Sequence, residues 1–296
     1  MPSSVGGTAF ACYSAAMNRF ALLTLAGLAF VSLPACSADG DQSGAAGVDE
    51  VNATSTISFK AEGFKVETTG KLAAGGKVLI QYDPARLPGC RGNVGGGGPG
   101  WSISGYASFN GQPATTFEVT KLNATRTDRE PAPYELKLPE GGDLAIWFHV
   151  ASRWGCSEYD SQYGQNFHFD VAGPPPEADS TLTFHADGKV DQTKPLKAGA
   201  KVAVRYEQDR LQTCRSTYNG RPAWAITGHA RINGGEEQSF STARPVYGSG
   251  EEREPLDNLV RLGESGQLEL WFENSGRDCV GWDSQDGKNY RFPIEP

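Results

Sequence analysis

Residues Trp101–Gly111 have the sequence WSISGYASFNG, which predicts a β-strand ending in a tight turn. Apolar or small residues occupy every second position, and Ser or Tyr lies between them. This two-residue period is typical of a strand with one buried and one wet face. The pair Asn110-Gly111 follows at once and favours a two-residue hairpin turn. The residues predicted to face a core are Trp101, Ile103, Gly105, Ala107 and Phe109.

The same pattern returns in the second half of the chain, at Ala223–Gly234 (AWAITGHARING). Five further segments repeat in the same order at an offset of 123–125 residues, among them STISFKAEG and STLTFHADG, DLAIWFHV and QLELWFEN. Internal duplication of this kind indicates two copies of one domain. The predicted organisation is a first copy at 55–171, a Pro-rich linker at 172–179 and a second copy at 180–296.

The composition favours small β domains. The 296 residues include 37 Gly and 18 Pro, which indicates many turns, and 38% of the residues are hydrophobic. The segments KVLIQY, LAIWFHV and NFHFDV predict further strands, and the mature chain contains no convincing amphipathic helix. The predicted fold is all-β, with two tandem immunoglobulin-like β-sandwich domains.

The N-terminus predicts export. Met17-Asn18-Arg19 precedes an apolar run from Phe20 to Leu33, too short to span a bilayer but suited to a signal peptide, so Met17 is a candidate start. Residues Leu33–Cys36 resemble the lipobox of bacterial lipoproteins, in which the Cys carries the lipid; the alternative is ordinary cleavage and secretion. The prediction is a signal peptide at 1–36, lipid attachment at Cys36, and a flexible tether at 37–54.

Four cysteines remain in the predicted mature copies, and an exported protein is expected to oxidise them. Cys90 and Cys156 are 66 residues apart, and Cys214 and Cys279 are 65 apart. Four cysteines allow three pairings, but a duplicated domain favours one bridge within each copy. A zinc site would need different spacing or His partners.

The charge and the residue pattern argue against several classes of function. The net charge of −8 without a basic cluster disfavours nucleic acid. The Gly-rich stretch at Gly92 lacks the features of a phosphate loop. The sequence predicts no metal, no cofactor and no catalysis, since no His is shared by the copies. Glu130 with Asp160 could form a carboxylate pair for glycoside hydrolysis, but ion pairs are favoured, for which Asp83–Arg86 and Glu207–Arg210 are close in sequence.

The second copy closes with CVGWDSQDGKNYRF, Cys279–Phe292. In a structural interpretation this is a hairpin: Gly287 supplies a positive φ, and the side chains of Asp283 and Asn289 bond backbone groups of the turn. In a binding interpretation, aromatic faces cover a sugar ring while carboxylate and amide groups bond its hydroxyls. Both interpretations remain open, and Trp282 packed beside the disulfide would support the first.

The segment WDSQDGKNYRF resembles a signature of starch- and glycogen-binding modules. The resemblance covers about the last 25 residues of each copy, and Ser-Gln replaces the modules' Asn-Asn. It implies glycan-binding candidates in both copies: Trp282, Asp283, Asn289 and Tyr290, with Tyr159, Asp160, Asn166 and Phe167 in the first. The whole repeat also resembles an uncharacterised family of secreted bacterial β domains.

The function expected from these features is non-catalytic binding at the bacterial cell envelope, with a glycan as the leading ligand. The protein would be lipid-anchored in the outer membrane or periplasm, or otherwise secreted, and would touch a membrane only through its lipid. The alternative partner is an envelope protein, in which case the chain is a structural or interaction module without a sugar site. A hydrolase would need a cleft with paired carboxylates.

Overall fold

The computed structural model describes residues 55–246 and 252–296. The predicted signal peptide, with Met17 and Cys36, and the predicted tether lie outside the described residues. Within the described ranges the protein is all-β, as the sequence predicted, with three 3-10 helices at Glu62–Phe64, Pro84–Arg86 and Gln208–Arg210. None of the helices found there has the length and apolar character to cross a membrane.

The described strands are numbered in chain order. Those up to residue 171 are β1 Ser55–Phe59, β2 Val66–Thr69, β3 Lys77–Tyr82, β4 Trp101–Phe109, β5 Thr115–Glu118, β6 Thr120–Leu122, β7 Arg129–Pro131, β8 Tyr134–Lys137, β9 Gly142–Ser152, β10 Ser157–Asp160 and β11 Phe167–Val171. Those after it are β12 Ser180–Phe184, β13 Val190–Gln192, β14 Leu196–Lys197, β15 Lys201–Tyr206, β16 Thr217–Tyr218, β17 Arg221–Pro222, β18 Trp224–Ile232, β19 Glu237–Ser241, β20 Ala243–Pro245, β21 Arg253–Pro255, β22 Asn258–Arg261, β23 Gly266–Gly276, β24 Val280–Asp283 and β25 Tyr290–Glu295.

The two copies have matching sheets. In the first copy a four-stranded sheet runs β2-β1-β3-β8, and a larger sheet runs β10-β9-β4-β5 with β11 also paired to β9. In the second copy the corresponding sheets are β13-β12-β15-β22 and β14-β25-β23-β18-β19, with β24 also paired to β23. Each copy contains one parallel pair in its smaller sheet. These pairs are β1 with β3 in the first copy and β12 with β15 in the second.

An apolar cluster in each copy draws on both of its sheets. In the first copy, Ile57 and Ile80 come from the smaller sheet, and Ile103 and Phe148 from the larger one; all four are fully buried. Burial of each such side chain contributes about 1.5–3 kcal/mol. The predicted face of β4 is inward: Trp101, Ile103 and Ala107 are buried. The two-residue period therefore identified the core face correctly.

The predicted hairpin turns are present in both copies. Asn110 and Gly111 have φ of 50° and 75°, and Asn233 and Gly234 have φ of 50° and 72°. The N–H of Gln112 donates to the Phe109 carbonyl at 2.9 Å, which closes the first turn. Positive φ at both central residues suits the right-handed twist of the flanking strands, which explains the Asn-Gly pair.

A glycine in the centre of β18 is covered by an aromatic ring from β19. A Cβ atom at Gly228 would lie 2.2 Å from Cε2 of Phe240, its partner in register. We expect Gly228→Ala to lower the free energy of unfolding by about 1–3 kcal/mol, because the ring must shift within a packed core. Gly263→Ala is the control, since no atom lies within 4 Å of its Cβ position. Urea denaturation measures both, and equal stabilities would contradict this account.

The copies are joined by contacts well beyond the linker. The Leu259 N–H donates to the Asn110 carbonyl at 2.8 Å, and the Gln238 side chain donates to the Gly111 carbonyl at 2.6 Å. The outer face of β4 and β9 is also partly covered, since Ser108, on the predicted wet face, is only 6% exposed. A cavity of about 90 Å³ lies between the copies, lined by residues of both. All described residues belong to one compact unit.

Candidate functional site

The closing segment of the second copy is a tight turn between β24 and β25. The N–H of Asn289 donates to the Ser284 carbonyl at 2.7 Å, and the N–H of Gly287 donates to Ser284 Oγ at 3.1 Å. Gly287 has φ of 83°, and Asn289 has φ of 59°. The first copy has the same turn, Ser161–Asn166, with the equivalent two hydrogen bonds at the same distances. The Ser, Gly and Asn of the motif therefore have structural roles.

The aspartate before this turn lies in a partly buried ionic network. Asp283 accepts from Nε of Arg210 at 2.7 Å and from the Tyr206 hydroxyl at 3.0 Å, and the Tyr290 hydroxyl also donates to it. The side chains of Arg210 and Asp283 are 7% and 16% exposed. Burial, with the nearby carboxylate, raises the pKa of Tyr206 and of Tyr290, so both hydroxyls stay protonated as donors.

The first copy repeats this network with one substitution. Arg86 donates through Nε and Nη2 to Asp160 at 2.6 and 3.1 Å, and the Tyr82 hydroxyl donates to Asp160 at 3.1 Å. Phe167 replaces the second tyrosine and is 3% exposed. Arg86 lies over its ring, 5.4 Å from the centroid. Asp160 and Phe167 thus hold the copy together at the position predicted for sugar contact.

The local ion pairs expected from sequence are wrong in their partners. Asp83 instead caps the 3-10 helix by accepting from the Ala85 N–H at 2.9 Å. Glu207 accepts from the Ala186 N–H at 2.7 Å and pairs with His185. The arginines reach the motif aspartates more than 70 residues away. Of the suggested carboxylate pair, Glu130 pairs with Lys121 at 3.3 Å, whereas Asp160 is held by Arg86.

The two motif asparagines bond to neighbouring strands. Asn166 donates to Ser241 Oγ of the second copy at 3.2 Å, so it joins the copies. The pKa of Glu269 is lowered chiefly by the hydrogen bond from Arg231, and a hydrogen bond from Asn289 contributes to this shift. Each amide therefore already has a hydrogen-bond partner within the protein.

Two motif residues face solvent, and they occupy the same position in the two copies. Tyr159 is 62% exposed and Trp282 is 53% exposed. Trp282 therefore does not pack beside the disulfide as the structural interpretation allowed. Tyr159 lies opposite His149 in register, and Trp282 lies opposite Glu273, so each ring is on the outer face of its larger sheet.

Further aromatic side chains share these outer faces. In the first copy the rings of Tyr159 and His149 stack at 4.3 Å between centroids, and Tyr106 stacks on Trp147 at 5.4 Å. Burial lowers the pKa of His149, which favours its neutral form.

The second copy has the equivalent stack. His229 lies on Trp271 at 5.2 Å, and Trp282 is 6.5 Å from His229. Sequence reasoning missed these additional rings. A Trp at 147 and at 271, each between two buried residues of its strand, is the signal that could have placed these rings on the wet face.

The predicted bridges within each copy are confirmed, as Cys90–Cys156 and Cys214–Cys279. Each bridge joins the loop that follows the 3-10 helix Pro84–Arg86 or Gln208–Arg210 to the segment that leads into the motif. The motif strand is therefore held covalently at one end and by the Arg–Asp network at the other.

A cavity of about 660 Å³ lies elsewhere. It runs between the edge strands β2 and β11 of the first copy, and Arg244 and Glu254 of the second copy close it. Arg244 pairs there with Asp170 and Glu254. None of the eight predicted glycan-binding residues lines it, so cavity size and motif indicate different places. The exposed aromatic rings remain the candidate for the predicted glycan contact, which requires an open surface rather than an enclosed pocket.

Comparison with known proteins places the chain in a family. Residues 52–295 match the model of the family of unknown function DUF6209. The chain belongs to this DUF6209 family. One match spans both copies, so the duplicated pair is the family's unit, in agreement with the contacts between them.

Other comparisons add little. No curated protein matches the chain. A solved structure, that of Lac15 from a marine microbial metagenome, is similar at 11% identity with a TM-score of 0.16. The match covers 82% of this chain and 66% of Lac15.

Proposed function

We propose that this DUF6209 protein is an exported, non-catalytic protein of the bacterial cell envelope that binds a glycan through exposed aromatic faces. The observation that carries the proposal is the contrast within the motif. Six of the eight candidates are used in the turn, the ionic network or contacts to neighbouring strands, whereas Tyr159 and Trp282 project into solvent at equivalent positions. A turn does not require an aromatic ring there, and an aromatic face open to solvent can stack on a ligand.

We further propose that each copy is an immunoglobulin-like β-sandwich and that Cys36 carries a lipid. The first proposal is supported by two sheets around one apolar cluster in each copy. Export is supported by the two disulfides, which form in oxidising compartments.

The glycan proposal is tested by retention on insoluble polysaccharide and by a glycan array. We expect the wild type to be retained and the double variant Trp282→Ala/Tyr159→Ala to bind at least about ten-fold more weakly, since each loses a stacking face. Both residues are more than half exposed, so stability should fall by no more than about 1.5 kcal/mol, chiefly through the loss of the Tyr159–His149 stack. Trp154→Ala is the matched control, because Trp154 is 55% exposed but lies outside the motif.

Two results would contradict the proposal. The first is a wild type that no glycan retains. The second is a double variant that binds as well as the Trp154→Ala control. Recovery of an envelope protein by cross-linking in either case would favour the alternative of a protein-interaction module.

A further inference from the structure

The second copy has a row of side chains that crosses the outer face of its larger sheet. Trp282 on β24 is opposite Glu273 on β23, which is opposite Thr227 on β18. Residues opposite one another in register project from the same face. Neighbouring strands are about 4.8 Å apart, so this row of three residues spans about 10 Å.

The turn Ser161–Asn166 of the first copy borders this row on the side away from Trp282. A Cβ atom at Gly164 would be 3.3 Å from Cβ of Ala225, which precedes Thr227 on the same face of β18. Asn166 bonds Ser241, the partner of Thr227 in register. The side chain of Gln165 donates to the Pro222 carbonyl at 3.1 Å. We call the surface between Trp282 and this first-copy turn the groove; Glu273 lies between the two in register.

The charge of the groove is negative beside the indole ring. One carboxylate oxygen of Glu273 accepts from the Ser275 hydroxyl, and the other is 3.9 Å from Nε2 of His229. His229 Nδ1 also contacts Glu237 at 2.7 Å. Among the described residues, His229 is the one ion-pairing partner of Glu273. Two carboxylates thus share one imidazole next to Trp282, an arrangement that favours a cation on the ring face.

The first copy lacks this arrangement. His149 occupies the position of Glu273, and burial favours its neutral form. Two rows further along the same face, Ser108, Ala145 and His168 line the cavity between the copies. The equivalents in the second copy, Arg231, Glu269 and Arg291, form ion pairs. The copies therefore present different chemistry around the same exposed aromatic position.

We propose that the groove bounded by Trp282, Glu273 and the first-copy turn binds an amine-bearing sugar, a glucosamine-type residue of a polysaccharide. The ammonium group lies between the indole face and the Glu273 carboxylate, and the sugar ring stacks on Trp282. This inference rests on the proposed glycan function and names its ligand class. In this proposal the second copy distinguishes amine-bearing from neutral sugars, whereas Tyr159 of the first copy supplies an aromatic contact to either kind.

The test is calorimetric titration of the full chain with two oligomers of equal length, one of glucosamine and one of N-acetylglucosamine. We expect the glucosamine oligomer to bind about five- to ten-fold more tightly, as a partly exposed ion pair and a cation–π contact together provide. Glu273→Gln should bring the two affinities within about two-fold. Trp282→Ala should weaken both.

Two controls separate a specific site from general attraction of a cation to an acidic protein. Glu236→Gln changes the net charge equally but lies in an exposed turn, and His149→Gln alters the equivalent position of the first copy. Both should keep the preference for glucosamine. A wild type without that preference, or a preference that survives Glu273→Gln, overturns this inference. If neutral glycans are then still retained through Trp282, the proposed function stands; if no glycan is retained, both fail.

Discussion

Asp283→Asn is expected to lower the free energy of unfolding by about 3–5 kcal/mol, which is the usual cost of removing one partner from a buried ion pair. The substitution keeps the shape of the side chain but leaves the Arg210 guanidinium without its counter-charge at 7% exposure. It also weakens the acceptor for the hydroxyls of Tyr206 and Tyr290. Equilibrium denaturation in urea measures the loss.

The matched control is Asp286→Asn, three residues further along in the same turn. Asp286 is exposed and has φ of 57°, a conformation that Asn also tolerates. It should change stability by no more than about 0.5 kcal/mol. If the two variants were equally stable, Asp283 would not be the structural anchor described here, and a direct ligand role for its carboxylate would regain support.

The features predicted successfully from sequence are those set by local rules. The two-residue period of β4 depends only on the alternation of side chains along a strand. The Asn-Gly turns depend on the positive φ that these residues tolerate. Neither needs knowledge of what is packed above the strand, so both could be read from about ten residues.

The ionic networks could not be predicted in this way. Sequence proximity favoured Asp83 as the partner of Arg86, but the short distance along the chain serves a helix cap instead. Arg86 meets Asp160 because β3 and β10 belong to facing sheets of one copy. Such a partner becomes visible only once the pairing of strands is known.

Differences between the two repeats in the sequence indicate the contact between the copies. Ser108, Ala145 and His168 are paired across three strands of the first copy, and their equivalents in the second are Arg231, Glu269 and Arg291. Two small residues and a histidine in one copy, against three charged residues in the other, indicate that one face is covered and the other is wet.

Removal of one disulfide is expected to have an effect as large as that of Asp283→Asn. Replacing Cys214 and Cys279 with Ser opens a loop of 65 residues, which on the chain-entropy model costs about 4 kcal/mol. The bridge precedes β24 directly, so the motif strand keeps only its Arg210–Asp283 anchor. Combining the Cys→Ser pair with Asp283→Asn should therefore lower the free energy of unfolding by more than the sum of the two separate losses. The bridge and the Arg210–Asp283 pair constrain the same strand, so removing one leaves the strand dependent on the other.

Thermal unfolding with and without a thiol reductant provides the measurement. Reductant should lower the melting temperature of the wild type. It should lower that of the Cys214→Ser/Cys279→Ser variant less, since only the Cys90–Cys156 bridge remains there to be opened. A variant with all four cysteines replaced serves as the control and should not respond. A wild-type melting temperature that reductant leaves unchanged would contradict the stabilising role of the bridges, and the motif strand would then depend on its ionic network alone.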